Sequence, residues 1–359
     1  MDMMLNSLPS RTWNRLGINE SFIKIEKELK NHTPEMSWNG TNALWNPNAG
    51  AGYTWTDLES GMGKDVCTLT QNAEIGLIKT VAGEKMTTPM LLKYTYENGE
   101  NSMSRLCFHA EKDSRLSVLV LLESNDKNDN GISVIQTKII AEEGAEVNVY
   151  VAQLLGSNYI CLNDIGGVSD DNAVINITKL ELGSKELYAG TYIDLKGLES
   201  AFNADIGYHV IDGQKVDMNY VADHHGAKSN SLMEISGTLE DGAHKVFRGS
   251  IDFKHGCPGA KGTENENVLL MGDRVINQTI PLILCKEEDV EGNHGASIGR
   301  LDEKMLFYLS ARGIAEKEAQ RIIAQARIDT ICNKIPDEDI RTKIHDFEIE
   351  RGISYDTGK

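Results

Sequence analysis

Apolar positions along this chain change period twice, and the changes divide it into three regions. Over residues 1–130 the pattern is mixed. Phe22, Ile23, Ile25 and Leu29 follow Asn19 at near-helical spacing, which predicts a short amphipathic helix with Asn19 as its N-cap. Residues 31–53, rich in Asn, Gly, Pro and Trp, show no period and read as a loop. Ile75–Thr80, Met90–Tyr96 and Leu116–Leu122 are short runs of β-branched and aliphatic residues, predicted as strands.

Residues 131–290 read as strand after strand. Glu146 to Val151 alternates polar and apolar, as do Ile175 to Thr178 and Lys179 to Leu182. Asp212-Gly213 and Asp241-Gly242 suit tight turns that need positive φ. So many short strands require a sandwich, a barrel or a stacked solenoid. The solenoid fits best, with rungs on the order of 20–45 residues and Gly190, Gly197, Gly207, Gly226, Gly237 and Gly249 as candidate corners. A jelly-roll sandwich is the alternative. Residues 291–359 switch to a 3.6 period. Asp302 can cap a helix carrying Met305, Leu306 and Leu309 on one face, with Gly313 at its end. A second helix runs from Glu316 towards Pro336, and Asp337 opens a third. The expected class is therefore mainly β, with a mixed α/β N-terminal region and a C-terminal helical domain.

Composition narrows the function. With 54 acidic against 36 basic side chains, the net charge of −18 argues against nucleic acid or an anionic membrane as partner. The six cysteines never approach one another closer than Cys257 and Cys285, 28 positions apart, so no C-x-x-C zinc, redox or cluster motif is encoded. No signal-like or membrane-spanning apolar run is found, and a reduced cytoplasmic location is expected. Gly61-Met62-Gly63-Lys64-Asp65 fails as a P-loop, since Leu58 replaces the first glycine and Asp65 the Ser/Thr. Neither G-x-S-x-G nor H-E-x-x-H occurs.

Among the histidines, His224-His225 lie in a strand and point to opposite faces, which favours a structural role. His255 and Cys257, two apart, make half a metal site. His294, in Glu291-Gly292-Asn293-His294-Gly295-Ala296, is read as a loop histidine between a strand at Leu282–Cys285 and the helix capped by Asp302.

The run 289–314, DVEGNHGASIGRLDEKMLFYLSARGI, resembles the C-terminal signature of the SufB/SufD family, scaffold subunits of the SUF iron–sulfur cluster assembly machinery. Phe247-Arg248-Gly249-Ser250-Ile251, Asn267 to Met271 and Leu8 to Trp13 are also similar to that family. SufD-type members match best. After Leu269-Leu270-Met271-Gly272 the chain continues Asp273-Arg274 without the SufB-type cysteine, and Gly295 stands where SufB-type members carry Glu.

The resemblance implies a right-handed β-helix core that pairs with a SufB-like subunit, and C-terminal helices that dock the ATPase SufC. It makes the protein a non-enzymatic scaffold and places the SufD-type histidine at His294 as a candidate cluster ligand; Cys257, which the family pattern does not call for, stays a ligand candidate only through its spacing from His255 and is otherwise read as a buried thiol. It puts SufC docking on Leu301, Leu306, Phe307, Tyr308, Arg312 and Gly313. Any iron–sulfur cluster would be transient and shared across the scaffold interface, not held by this chain alone. Two further readings are a homodimeric scaffold working with SufC and, from another class, a solenoid enzyme acting on polysaccharide. Cys285 is read as a buried thiol.

Overall fold

The computed structural model describes residues 1–12, 15–38, 44–46 (backbone only) and 58–352. An antiparallel pair, β1 (Asp2–Leu5) and β2 (Ser21–Lys24), opens the chain. Two large sheets follow, and from β6 (Ile75–Thr80) onward consecutive strands alternate between them. Sheet 1 comprises β3 (Lys30–Asn31), β5 (Leu44–Asn46), β6 (Ile75–Thr80), β8 (Glu100–Ala110), β10 (Asn130–Ala141), β12 (Asn158–Ser169), β14 (Glu186–Leu195), β16 (Lys215–His224), β18 (His244–Phe253) and β20 (Ile276–Cys285). Sheet 2 comprises β4 (Glu35–Ser37), β7 (Met90–Tyr96), β9 (Arg115–Ser124), β11 (Glu146–Leu154), β13 (Val174–Glu181), β15 (Ala201–Val210), β17 (Asn230–Leu239), β19 (Ala260–Leu270) and β21 (Val290–Gly299). From β6 and β7 onward every pairing is parallel. The partner offset runs from 26 residues (Ile160 to Glu186) to 32 (His244 to Ile276), one rung per turn of a β-solenoid.

Period-2 patterning explains why the strands form. Alternate residues enter one continuous interior of aliphatic and aromatic side chains that stack from rung to rung, among them Tyr94, Tyr96, Phe108, Tyr159, Phe202 and Phe253. The parallel ladder spans Ile75 to Gly299, so it begins ahead of residue 131 and ends beyond residue 290.

Both outer faces are covered by other segments. On sheet 1, Met3, Leu5 and Ile25 of the N-terminal pair and Met62 and Val66 at α1 (Lys64–Thr70) pack on Ile132, Val134, Leu162 and Tyr188. On sheet 2, α3 (Glu316–Cys332) and α4 (Glu338–Glu350) lay Ile328, Ile331, Ile340 and Ile344 over Leu119, Leu121, Leu154, Leu180 and Leu182. The Asp337 carboxylate accepts from Ile340 N at 3.0 Å, so α4 starts where its cap was expected.

Three expectations need correction. The helix after Asn19 is instead strand β2 and the chain beyond it. Ser21 and Ile25 are buried, Ile23 is half-buried, and Phe22 and Lys24 face solvent, which is a period of two. Asn19 caps nothing; its side chain accepts from Thr12 N at 3.1 Å. Second, of the six proposed corner glycines only Gly197 and Gly226 lie between strands. Gly190, Gly207, Gly237 and Gly249 are strand-interior, where a Cβ would collide with a neighbour: at Gly237, for instance, it would lie 2.0 Å from the Tyr208 ring. The turns at Gly213 (φ 74°) and Gly242 (φ 83°) do form as expected. Third, residues 31–53 include strand segments at Asn31, β4 and β5; residues 39–43 and 47–53 of that stretch lie outside the described residues.

The failed P-loop segment has a structural use. Asp164, on the outer face of β12, accepts from Ser60 Oγ (2.6 Å), Met62 N (2.8 Å) and Gln136 Nε2 (2.9 Å), while Asn219 donates to the Gly61 carbonyl at 2.8 Å. Gly61 lies so close to Gly190 and Thr191 that neither glycine could carry a side chain. Nearer the end of the sheet, Asp217 accepts from Arg248 Nη1 and Asn6 Nδ2, each at 2.7 Å, and from Ser21 Oγ; Arg248 Nε also donates to the Ile18 carbonyl at 2.7 Å. The Asp217 and Arg248 side chains are fully buried. Removing one partner of such a pair strands the other charge, which costs about 3–5 kcal/mol. Asp217→Ala should therefore lower stability by that order in urea unfolding. Hydrogen exchange should rise first in residues 2–25, the segment this pair ties down.

The open end rung and the C-terminal helices

His294 is not in a loop. It lies in β21, the outermost strand of sheet 2, in register with Glu264 of β19. Parity fixes its face: a Cβ on Gly292 would lie 3.1 Å from Ile283 and Phe253, inside the solenoid, whereas one on Gly295 would meet Asn265 outside. His294 shares the inward face with Gly292, yet it is exposed, because no further rung among the described residues covers it. The glycines that suggested a loop are accommodated within a strand.

Behind His294 the interior turns ionic. Glu266 accepts from Thr279 Oγ1 (2.6 Å), from Tyr208 OH (3.2 Å) and from Lys245 Nζ, which also reaches Thr279 Oγ1 at 2.9 Å. Burial lowers the Lys245 pKa and the two glutamates pull it back. The Glu264 carboxyl is pressed against Gly249, whose missing side chain leaves the room. Burial, with the nearby Glu266 charge, pushes Glu264 up to about 8. It is thus a neutral acid at pH 7.

The other candidates are not brought together. Cys257 is fully buried in the turn ahead of β19, and its Sγ donates to the Lys254 carbonyl at 3.0 Å. Burial raises its pKa, which keeps it a thiol. His255 points to solvent beside Glu287 with 92% of its side chain exposed, so the two ligands face opposite ways. His224 is buried between Ser229 Oγ (2.8 Å) and Ser231 Oγ (2.9 Å) and is lowered to about 4, a structural imidazole as expected. Cys285, expected to be buried, is exposed at the end of β20 on the same last rung as His294. Only its place in the final turn could have marked it, and that is not visible before the rungs are counted. Among the described residues, no three His, Cys, Asp or Glu side chains are grouped to hold a metal ion.

The segment after β21 leads directly into α2 (Glu303–Ser310), capped by Asp302, whose side chain accepts from Lys304 N at 3.2 Å. This helix buries none of its residues. Phe307 is 77% and Tyr308 53% exposed, and the Arg312 guanidinium stacks 4.3 Å from the Tyr308 ring. Leu301 and Leu306 line a cleft of about 500 Å³ between the last rung and α3, together with Leu270, Met271 and Gln320. Gly313, at φ 87°, ends the helix. Of the six residues singled out in sequence, Phe307, Tyr308, Arg312 and Gly313 are exposed in and just after α2, while Leu301 and Leu306 are half-buried in the cleft. None of the described helices is long and apolar enough to cross a membrane.

Ionising Glu264 is opposed by the fold. Its pKa is near 4.5 when unfolded and about 8 in the fold, so stability is lost as pH rises through that window. Glu264→Gln should stabilise the protein at pH 8 by about 2–4 kcal/mol and leave it unchanged at pH 4, as measured by urea midpoints at both values.

Comparisons with known proteins point one way. Residues 94–327 match the model of the SUF system FeS cluster assembly SufBD core domain. The chain is 30% identical over 121 residues to the iron–sulfur cluster assembly protein SufD of Bacillus subtilis (34% of this chain, 28% of that one). It is 27% identical over 163 residues to SufD of Escherichia coli (45% and 38%), and 24% identical over 276 residues to SufB of Bacillus subtilis (76% and 59%). These alignments thus cover from about a quarter to three-fifths of the relatives' lengths. A solenoid ending in an open rung with a helical extension, matched by this core model over most of its strands, belongs to the SufB/SufD family of the SUF iron–sulfur cluster assembly system.

Proposed function

We propose that this chain is a SufD-like, non-enzymatic scaffold subunit that works in the cytoplasm with a SufB-like subunit and a SufC-like ATPase. The observation that carries the reading is the open last rung. Among the described residues, strands β20 and β21 have no neighbour on their outer edges, and unpaired strand edges are templates for another sheet. A second solenoid abutting them would cover His294 and bring its own donors to that imidazole, which alone is one ligand. The cluster is cargo at this junction, assembled between two chains.

The α2 edge supplies the other contact. Phe307, Tyr308 and Arg312 form an exposed aromatic–cation surface, the residue types that dominate binding energy in protein interfaces. ATP-driven closure of the ATPase would be transmitted through α2 and the cleft at Leu301 and Leu306 to the last rung. Family membership favours this over a polysaccharide-acting solenoid. A homodimeric scaffold would use the same edge, and Cys257, buried as a thiol, would become a ligand only if the turn before β19 opened.

Anaerobic co-expression with SufB-like and SufC-like partners tests the reading. Phe307→Glu should reduce recovery of the ATPase at least ten-fold while the SufB-like chain is retained. His294→Ala should leave the complex intact but lower its iron and sulfide content severalfold. A full cluster load in His294→Ala would remove the ligand role, and cluster assembly with the ATPase alone would favour the homodimer.

A further inference from the structure

The solenoid is not the only place with an unmet valence. Where α3 and α4 lie side by side, the Glu348 side chain is 1% exposed, and its Oε1 is buried without a hydrogen-bond partner. An ionised carboxylate cannot stay in that state without severe desolvation cost. Burial, together with the neighbouring Asp329, pushes Glu348 up to about 8, so it is neutral at pH 7. Asp329 is itself raised by burial. Both line a groove of about 380 Å³ that opens to solvent between the helices, with Glu338, Arg341 and His345 on its α4 side and Cys332 on its α3 side.

Among the described residues no cation acts on Glu348, and only His345 pulls Asp329 down. The lysines around them are committed elsewhere: Lys334 to Asp205 and Lys343 to Glu123. Arg341 donates to the Ile335 carbonyl, and Arg351 to the carbonyls of Leu182 and Leu155. Arg327, also on α3, lies near Tyr208 of β15 with its buried Nη1 unpartnered, and His345 pairs with Gln325 at 3.4 Å. The side chains of sheet 2 under the helix pair are chiefly leucines, and its acids Glu123 and Asp205 are the ones already paired with Lys343 and Lys334. A metal ion fits poorly, since no three ligand side chains among the described residues converge and the groove is far larger than an ion.

We propose that this groove receives a basic side chain, lysine or arginine, from a partner protein, with Glu348 and Asp329 as its acceptors. The charge balance and the volume both suit an ammonium or guanidinium on an aliphatic stem. The inference stands apart from the scaffold reading, which uses the end rung and α2.

Binding of a cation here must ionise Glu348, which gives a signature that mere surface attraction lacks. The donor arrives charged, the carboxyl loses its proton to solvent, and charge is conserved. Cys332, held near 12, stays a thiol throughout. The probe is hexa-arginine peptide titrated calorimetrically into the full chain at pH 7 and near-physiological ionic strength, in two buffers of different ionisation enthalpy. Wild type should bind with release of about one proton per peptide. Glu348→Gln, an isosteric change from one neutral group to another, should abolish the release and weaken binding at least ten-fold; Glu26→Gln, on the exposed N-terminal pair, should change neither. Should Glu348→Gln fail to fold, Asp329→Asn serves as the second variant and should weaken binding by a similar factor. Absence of binding by wild type, or unchanged affinity and proton release in Glu348→Gln, would overturn the proposal.

Discussion

Parallel stacking in register is the constraint from which the other features follow. Because each rung sits on the last with its residues aligned, a side chain's neighbours are the residues one rung earlier and one rung later, roughly 4.8 Å away. Both faces are thereby committed to matched rows: Asp194, Asp223 and Asp252 fall in one row on the outside of sheet 1, and Glu264 and His294 in one on the inward face of sheet 2. A row of this kind has two ends. At the final rung, hydrogen bonds, apolar contacts and charge pairing lack a partner together, which is why the most exposed strand of the ladder also carries the exposed histidine.

The two broad faces solve the covering problem by different physics. Sheet 2 presents a leucine ridge, and two helices bury isoleucines on it, a contact that tolerates shifts because it is apolar and non-directional. Sheet 1 instead knots an irregular segment and an N-terminal strand pair onto itself through Asp164 and Asp217, each taking several donors. Directional bonds of this kind fix where a covering segment lies as well as that it is covered. Of the last rung, β20 thus belongs to the face held by directional bonds, and β21, with His294, to the face covered by apolar helix packing.

How much of this was legible follows from period and distance. Strands were visible because each buries one side, so β6, β7 and β9 emerged nearly at their true limits from aliphatic runs alone. The helical caps at Asp302 and Asp337 were visible because capping is local. What stayed hidden lies between half a rung and a whole rung away in sequence. Nothing at Gly249 announces that the Glu264 carboxyl needs its space, nor does Gly237 reveal Tyr208 behind it. The N-terminal segment misled because Phe22, Ile23, Ile25 and Leu29 satisfy a helical spacing, while the pairing that decides the matter, Met3 with Ile23, joins positions 20 apart. His294 misled for a related reason: glycines at 292, 295 and 299 look like loop punctuation until the facing strand shows that Gly292 is packed against Ile283 and Phe253.

The same geometry limits what this chain can do alone at its end rung. An imidazole contributes one donor, and the nearest ionisable groups behind it are turned inward: Glu266 is saturated by Lys245, Thr279 and Tyr208, and Glu264 is held as a neutral acid. Neither carboxyl is free to join a metal without giving up partners or a proton in a buried setting, which is costly. The interior carboxyls behind His294 thus offer no free ligand beside it. On the proposed scaffold reading, additional ligands would come from across the open edge, where an approaching chain would also restore the missing strand pairing. Edge completion and ligand completion would then be one event, and a cluster held there would be exposed to solvent again whenever the two edges part.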